Sequence, residues 1–277
     1  MKKIFVAGHK GMVGSALVRF LKNKKDNKIF TINKSKLDLT NQHDVLRYFS
    51  KKKFNQVYIA AAKVGGIYAN NKFPADFIYK NLMITCNLIN SSHITKVKKV
   101  LYFGSNCSYP KYAKQPIKEN DLLSGPLEPT NEAYSIAKIS GLKLCESYNR
   151  QYNKSSTDFR SVVPTNLYGI NDNYDSINSH VIPALIKKIH YAKKNNDSDL
   201  TIWGSGKVLR EFLLVDDLVK CCVKIMTIPR KKYIKIVGNK HTHINIGSGK
   251  DLTISKLENK ICNIIGYKGN IKFDKSY

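Results

Sequence analysis

Apolar and polar positions change rhythm along this chain in a repeating way. Ile4 to Ala7 is an unbroken apolar run, the pattern of a strand buried on both faces, and from Met12 apolar residues recur at helical spacing. Lys28 to Ile32, Gln56 to Ala61, Lys99 to Gly104 and Phe159 to Val163 read as further strands. Pro74 to Ser92 and Asn131 to Tyr152 read as long helices. This alternation predicts an α/β fold, a Rossmann-type doubly wound parallel sheet with helices on both faces. After Pro164 the rhythm loosens. The stretches NLYGINDNYDSINSH and TIWGSGKVLREFLLV read as loops and short strands that cap the C-terminal edge of the sheet, where such folds bind ligands. The expected division is a Rossmann domain over residues 1–165, with 211–245 returning to it, and a smaller α/β substrate domain from 166–210 and 246–277.

Composition narrows the partners. At 277 residues the chain buries a large core, and its formal charge is +27. Only six of the 47 basic residues are arginine, and the lysines are scattered among Asn and Ile. Nucleic-acid binders cluster their charge and lean on Arg, so no nucleic acid is expected; a general attraction for anionic substrates is. The six cysteines show neither CxxC pairs nor a disulfide framework, and no signal peptide or membrane-length apolar stretch is present. A reduced, cytoplasmic protein with no membrane partner and no metal is expected.

Three local patterns carry chemistry. Gly8, Gly11 and Gly14 lie between the first strand and the first helix, where a turn has to bend tightly, approach a phosphate and pack helix on strand. The helix N-terminus then offers free N–H groups to a pyrophosphate. The second strand ends in Asn33-Lys34-Ser35-Lys36 with no acid for a ribose 2′-hydroxyl. Lys34 and Lys36, with Lys10 in the glycine turn, suit a 2′-phosphate instead, which favours NADPH over NADH. Asp38 is either a partner for the adenine amino group or a solvated turn carboxylate. Tyr134 and Lys138 stand four apart in NEAYSIAK and share a helix face. An ammonium beside a phenol is expected to lower its pKa and fit it to pass a proton to a substrate oxygen. Ser105, in GSNCSYP at the end of a strand, is placed to hydrogen-bond the same oxygen.

Together, GxxGxxG, Ser105 and Tyr134-x-x-x-Lys138 resemble the extended short-chain dehydrogenases/reductases. The strings AGHKGMVGSA, AAAKVGGIYANN, PADFIYKN, LEPTNEAYSIAKISGLKLCESYNRQY, VPTNLYG, NSHVIPALI and REFLLVDD resemble, within that group, the GDP-L-fucose synthases, from Lys3 to about Asp274. The resemblance implies a site that inverts C3 and C5 of GDP-4-keto-6-deoxy-D-mannose and then reduces its C4 ketone with NADPH. It assigns Cys107 as base and His180 as acid, with Ser105 and Tyr134 on the C4 oxygen and Lys138 gripping the nicotinamide ribose. Thiol and imidazole both titrate within reach of neutrality, which suits proton transfer. Related sugar-nucleotide 4,6-dehydratases carry a Glu near Cys107.

The same resemblance places the coenzyme against Gly8, Lys10, Gly11, Met12, Val13 and Gly14, then Lys34, Asp38 and Ala61, and finally Tyr134, Lys138, Pro164 and His180. It gives the GDP-sugar to Asn166, to Lys187 or its neighbour Lys188, and to Trp203 and Arg210. Trp203 either faces the nucleotide or fills the small domain's core. Lys10 stands where relatives often have Arg, keeping the charge and losing the bidentate grip. Relatives continue for several dozen residues beyond FDKSY, so the substrate domain reads as incomplete, apparently truncated. A homodimer through the helices Pro74 to Ser92 and Asn131 to Tyr152 is implied as well. Two other readings stand beside this one: an epimerase or reductase of another keto-deoxy nucleotide sugar, such as a GDP-heptose, and a coenzyme-binding protein without turnover.

Overall fold

The computed structural model describes residues 1–152, 157–175, 179–238 and 241–274; Asn178 of the NSHVIPALI string lies outside them. In chain order the first half runs β1 (Lys2–Ala7), α1 (Met12–Lys22), β2 (Asn27–Phe30), α2 (Gln42–Lys52), β3 (Gln56–Ile59), α3 (Ile67–Lys72), α4 (Pro74–Ile94), β4 (Lys99–Phe103), α5 (Glu132–Gln151) and β5 (Asp158–Pro164). The second half runs β6 (Asn166–Tyr168), α6 (Val181–Asn195), β7 (Asp199–Trp203), β8 (Leu209–Leu214), α7 (Val215–Thr227), α8 (Arg230–Val237), β9 (His243–Ile246), β10 (Asp251–Thr253), α9 (Ile254–Ile265) and β11 (Asn270–Asp274).

Six strands form one parallel sheet in the order β2-β1-β3-β4-β5-β9. The chain moves outward from β1 to β2, then crosses back to place β3 on the other side. That reversal opens a crevice at the C-terminal ends of β1 and β3, the place where such sheets take ligands. β5 is buried at all seven positions, as a central strand covered on both faces has to be. One face packs Phe5, Phe49, Val57, Tyr102, Leu142 and Phe159 under α2, α4 and α5. The other packs Leu17, Leu21, Tyr58, Leu101, Val162, Leu218 and Cys222 under α1 and α7. The chain therefore returns to the large sheet twice after β6, through α7 and through β9.

The remaining strands make two small sheets, β10-β8-β6 and β11-β7. In β7 burial alternates, with Leu200 and Ile202 inward and Asp199, Thr201 and Trp203 outward. The inward pair joins Leu185, Ile189, Leu257, Ile261 and Tyr267 in a third apolar core beneath α6 and α9. Helix ends follow local chemistry: α4 opens on Pro74 with Asp76 in its first turn, and α9 is capped by Thr253, whose hydroxyl accepts from Lys256 N at 3.2 Å.

Candidate active site

A cleft of about 900 Å³ runs along the C-terminal ends of β1, β3 and β4 and reaches the small sheets. Its coenzyme-sized half is built on the glycine turn. Gly8 has φ +85°, and a Cβ there would lie 2.7 Å from the backbone N and Cα of Ala61. A Cβ at Gly14 would lie 2.1 Å from the Gly8 carbonyl oxygen, so α1 approaches the turn at a distance only glycine permits. Gly11 caps α1 without a side-chain bond, and no acid stands in that first turn. The first-turn N–H groups and the positive helix end thus meet the cleft with no acid of their own turn against them.

Lys10, Met12, Val13, Lys34, Asp38, Ala61 and Pro164 all line this cleft. Lys36 is not among the lining residues, so only one of the two lysines after β2 reaches it. One Asp38 oxygen accepts from Thr40 N at 2.9 Å and Thr40 Oγ1 at 2.8 Å. Those bonds, with smaller help from Lys34 and Lys80, hold its carboxyl below the usual range.

The reacting half lies where β4 meets α5. Lys138 is buried and donates to the Phe103 carbonyl at 2.8 Å, with its ammonium 5.7 Å from the centre of the Tyr134 ring. Burial pushes its pKa down to about 8. Tyr134 departs from the expected direction. Burial, then the neighbouring Cys107, raise its phenol pKa, against a smaller pull from a Ser105 hydrogen bond. The ammonium that was expected to lower it is itself stripped of water and aimed at a carbonyl, so desolvation outweighs attraction.

Ser105, in extended conformation, opens a short turn over Asn106–Ser108, and its Oγ accepts from Cys107 N at 3.3 Å. Cys107 Sγ accepts from Asn131 Nδ2 at 3.4 Å, and Asn131 is itself held by Ser135 Oγ at 3.2 Å. Burial raises the Cys107 thiol pKa; hydrogen bonds from Ser105 and Asn131, and the Lys138 charge, act the other way. His180 stands exposed at the N-cap of α6 and lines the same cleft as Ser105, Cys107, Tyr134 and Lys138.

Asn166 and Arg210 also line the cleft, with Asn166 Nδ2 donating to the Glu211 carbonyl at 3.0 Å and Arg210 to the Leu209 carbonyl at 2.8 Å. Lys187, Lys188 and Trp203 are not brought to it. Lys187 donates to the Tyr174 carbonyl at 2.9 Å, and Lys188 donates to the Thr201 carbonyl with its ammonium 5.8 Å from the Trp203 ring. Trp203 is 66% exposed on the outer face of β7, so it does not fill the small core. Of the lining residues that sequence reasoning passed over, four bear on the site. Asn131 had a signal, standing one turn before Tyr134 in the same string. Asn70 had none: it is buried with Oδ1 unpartnered while its Nδ2 bonds the Gly65 and Gly66 carbonyls. Lys63 and Lys80 share Asp76 at 2.6 and 3.1 Å.

The NAD dependent epimerase/dehydratase family profile matches residues 4–247, most of the chain. The chain belongs to that family. Within it, the GDP-L-fucose synthase of Escherichia coli (strain K12) is 49% identical over 99% of this chain and 85% of its own length. That of Sinorhizobium fredii is also 49% identical, over 99% of this chain and 83% of its own. A Campylobacter jejuni GDP-D-glycero-L-gluco-heptose synthase, solved in the presence of NADPH, superposes with a TM-score of 0.92 at 38% identity, covering 99% of this chain and 88% of that one. A Naegleria fowleri GDP-L-fucose synthetase bound to NADP gives 0.89 at 28% identity, over 99% of this chain and 81% of that one. In this epimerase/dehydratase-family member the side chains after β4 and along α5 line the cleft beside the glycine turn.

Proposed function

We propose that this protein is an NADPH-dependent GDP-L-fucose synthase, epimerising C3 and C5 of GDP-4-keto-6-deoxy-D-mannose and reducing its C4 ketone. The observation that carries the reading is one cleft lined by Ser105, Cys107, Tyr134, Lys138 and His180 beside the glycine turn. The tight turn that Gly8 and Gly14 allow between β1, β3 and α1, and the unpartnered buried oxygen of Asn70, fit a dinucleotide. Lys10 and Lys34 would take its 2′-phosphate and the first turn of α1 its pyrophosphate. When bound, NADPH supplies the hydride for C4. Residues 1–165 and 211–245 hold the coenzyme in this reading, and 166–210 with 246–277 hold the GDP-sugar through Asn166 and Arg210.

Protons at C3 and C5 flank a carbonyl and are acidic. Cys107 Sγ, as thiolate, removes one, and His180 returns a proton from the opposite face. Ser105 and Tyr134 hydroxyls bond the oxyanion that develops at C4. The raised pKa of Tyr134 keeps its proton in place until the C4 oxygen needs it. Lys138 orients the coenzyme's ribose and stabilises the phenolate left behind. Asn131 donates to Cys107 Sγ and steadies the thiolate.

No helix among the described residues is long and apolar enough to cross a membrane, and all six cysteines are free, which supports a cytoplasmic site of action. A homodimer through α4 and α5 is supported by apolar side chains they expose, among them Tyr79, Ile94 and Ile136. The deciding assay is NADPH oxidation on enzymatically prepared GDP-4-keto-6-deoxy-D-mannose, with GDP-L-fucose identified as product. No oxidation, with NADPH binding shown by fluorescence, would leave a coenzyme-binding protein without turnover. The likeness to GDP-heptose enzymes supports a second reading, reduction of a GDP-keto-heptose, and the same assay with that sugar separates the two.

A further inference from the structure

A second cluster of ligating side chains lies outside the cleft, toward the C-terminal end of α5. Glu146 stands two turns beyond Lys138 on that helix; His241 and His243 stand where β9 begins, at the edge of the six-stranded sheet. One ligand atom from each of the three lies within 4.8 Å of the others, with His241 Nδ1 and Glu146 Oε1 at 3.7 Å. Glu146 Oε1, His241 Nδ1 and His243 Nδ1 are all buried and without a hydrogen-bond partner, and His243 is only 1% exposed. A buried polar atom left unpaired is uncommon and costly. Here three such atoms belong to residues of one cluster.

The outer nitrogens show which tautomers are present. Tyr109 has one hydroxyl proton, which it gives to Asn245 Oδ1 at 2.5 Å, so at 3.2 Å from His243 Nε2 it accepts. His243 therefore carries its hydrogen on Nε2 and a lone pair on Nδ1. His241 Nε2 faces Asn120 Oδ1, an acceptor, at 2.6 Å and carries its hydrogen there too. His241 Nδ1, which carries the lone pair, lies 3.7 Å from Glu146 Oε1. An imidazole whose other nitrogen donates to an ordered acceptor is the arrangement metal-binding histidines adopt.

We propose that Glu146, His241 and His243 form a binding site for a divalent transition-metal ion of the zinc class, with water in the fourth position. Two imidazole nitrogens and one carboxylate suit Zn²⁺, Co²⁺ or Ni²⁺ rather than Ca²⁺ or Mg²⁺, which take oxygen ligands. Bonds of about 2.0–2.2 Å require the three atoms to close by roughly an ångström. The side chains of His241 and Glu146 are 16% exposed, which gives the ion a path from solvent. Lys143 competes for the carboxylate, but it holds the other oxygen, Glu146 Oε2, at 2.8 Å. A bound ion would tie the catalytic helix to β9 and, through Tyr109, to the turn that carries Cys107.

The test uses full-length protein stripped with a chelator, titrated with Zn²⁺ against a chromophoric competitor, and separately loaded with Co²⁺. One ion per chain is expected, with visible cobalt bands of a four-coordinate site. His241→Ala and Glu146→Gln should each weaken binding by at least about 10- to 100-fold, since even outer partners of metal ligands are worth that much. Cys107→Ser should bind as the parent does, and Zn²⁺ should raise the melting temperature of the parent but not of His241→Ala. Absence of stoichiometric binding at micromolar Zn²⁺ would overturn the proposal. So would unchanged affinity in His241→Ala, or loss of binding in Cys107→Ser alone.

Discussion

Replacing Lys138 with Met should leave a protein whose stability responds differently to pH. Burial lowers the Lys138 pKa from 10.5 to about 8. At about 1.4 kcal/mol for each pH unit of displacement, holding the charge in the fold costs about 3 kcal/mol relative to the unfolded chain. Above pH 10.5 the amine is neutral in both states and the cost is absent. Between 10.5 and 8 the unfolded chain binds the proton and the fold does not, so stability falls as pH falls, and below 8 the full cost applies. Methionine has a similar length and no charge, so Lys138→Met escapes this term. It also loses the bond to the Phe103 carbonyl, about 1.5–3 kcal/mol for a charged donor, so its net gain at pH 7 is small. The slope is the sharper quantity: the stability of the variant relative to the parent should decline by about 2–3 kcal/mol between pH 7.5 and 10. Urea unfolding followed by circular dichroism at several pH values measures it. A difference constant to within about 0.5 kcal/mol, or one that grows with pH, would refute the argument that Lys138 is held as a strained cation. Reduction should be lost in the variant at every pH, and in the parent it should decline above about pH 8 as Lys138 gives up its proton.

Four further outcomes are expected. Cys107→Ser should slow deuterium wash-in at C3 and C5 of the substrate by at least about 100-fold while leaving NADPH affinity intact; undiminished exchange would remove Cys107 from the chemistry. Because burial raises the thiol pKa, exchange by the parent should climb from pH 6.5 to 9, and a profile falling over that range would count against a thiolate base. Asn131→Ala removes the 3.4 Å donor to Cys107 Sγ, so the exchange profile should move to higher pH by up to about one unit, and an unmoved profile would make Asn131 merely structural. Gly14→Ala puts a methyl 2.1 Å from the Gly8 oxygen, which α1 relieves only by moving off the turn. Destabilisation of about 1–3 kcal/mol and at least tenfold weaker NADPH binding should follow, read by thermal melting and fluorescence titration.

Strands and helices that rest on local pattern were legible in the chain. β1 to β5 all lie within two residues of the runs that predicted them, β2 stopping at Phe30 instead of Ile32 and β3 at Ile59 instead of Ala61. The glycine turn, Ser105 and the Tyr134–Lys138 pair were legible for the same reason, since each is a short-range spacing on one turn or one helix face. Asn131 was visible beside them but carried no chemistry until Cys107 Sγ was found 3.4 Å away.

What the chain by itself determined is therefore the alternation of elements, the glycine turn and the residue types that come to line the cleft. Tertiary structure alone decided which of those residues share a surface and how much water each keeps. The pleat of β7 turns Trp203 outward, and α6 points Lys187 and Lys188 at carbonyls away from the cleft, though the resemblance gave these positions to the GDP-sugar. Lys138 gives up its proton more readily than a free lysine only because α5 buries it against β4. Glu146 meets His241 and His243 only because β9 pairs with β5 and comes to rest beside α5. Spacing within a turn or a pleat is set by backbone geometry over a few residues and survives in sequence. Burial and contact between distant segments depend on how whole elements pack, and no local pattern records that.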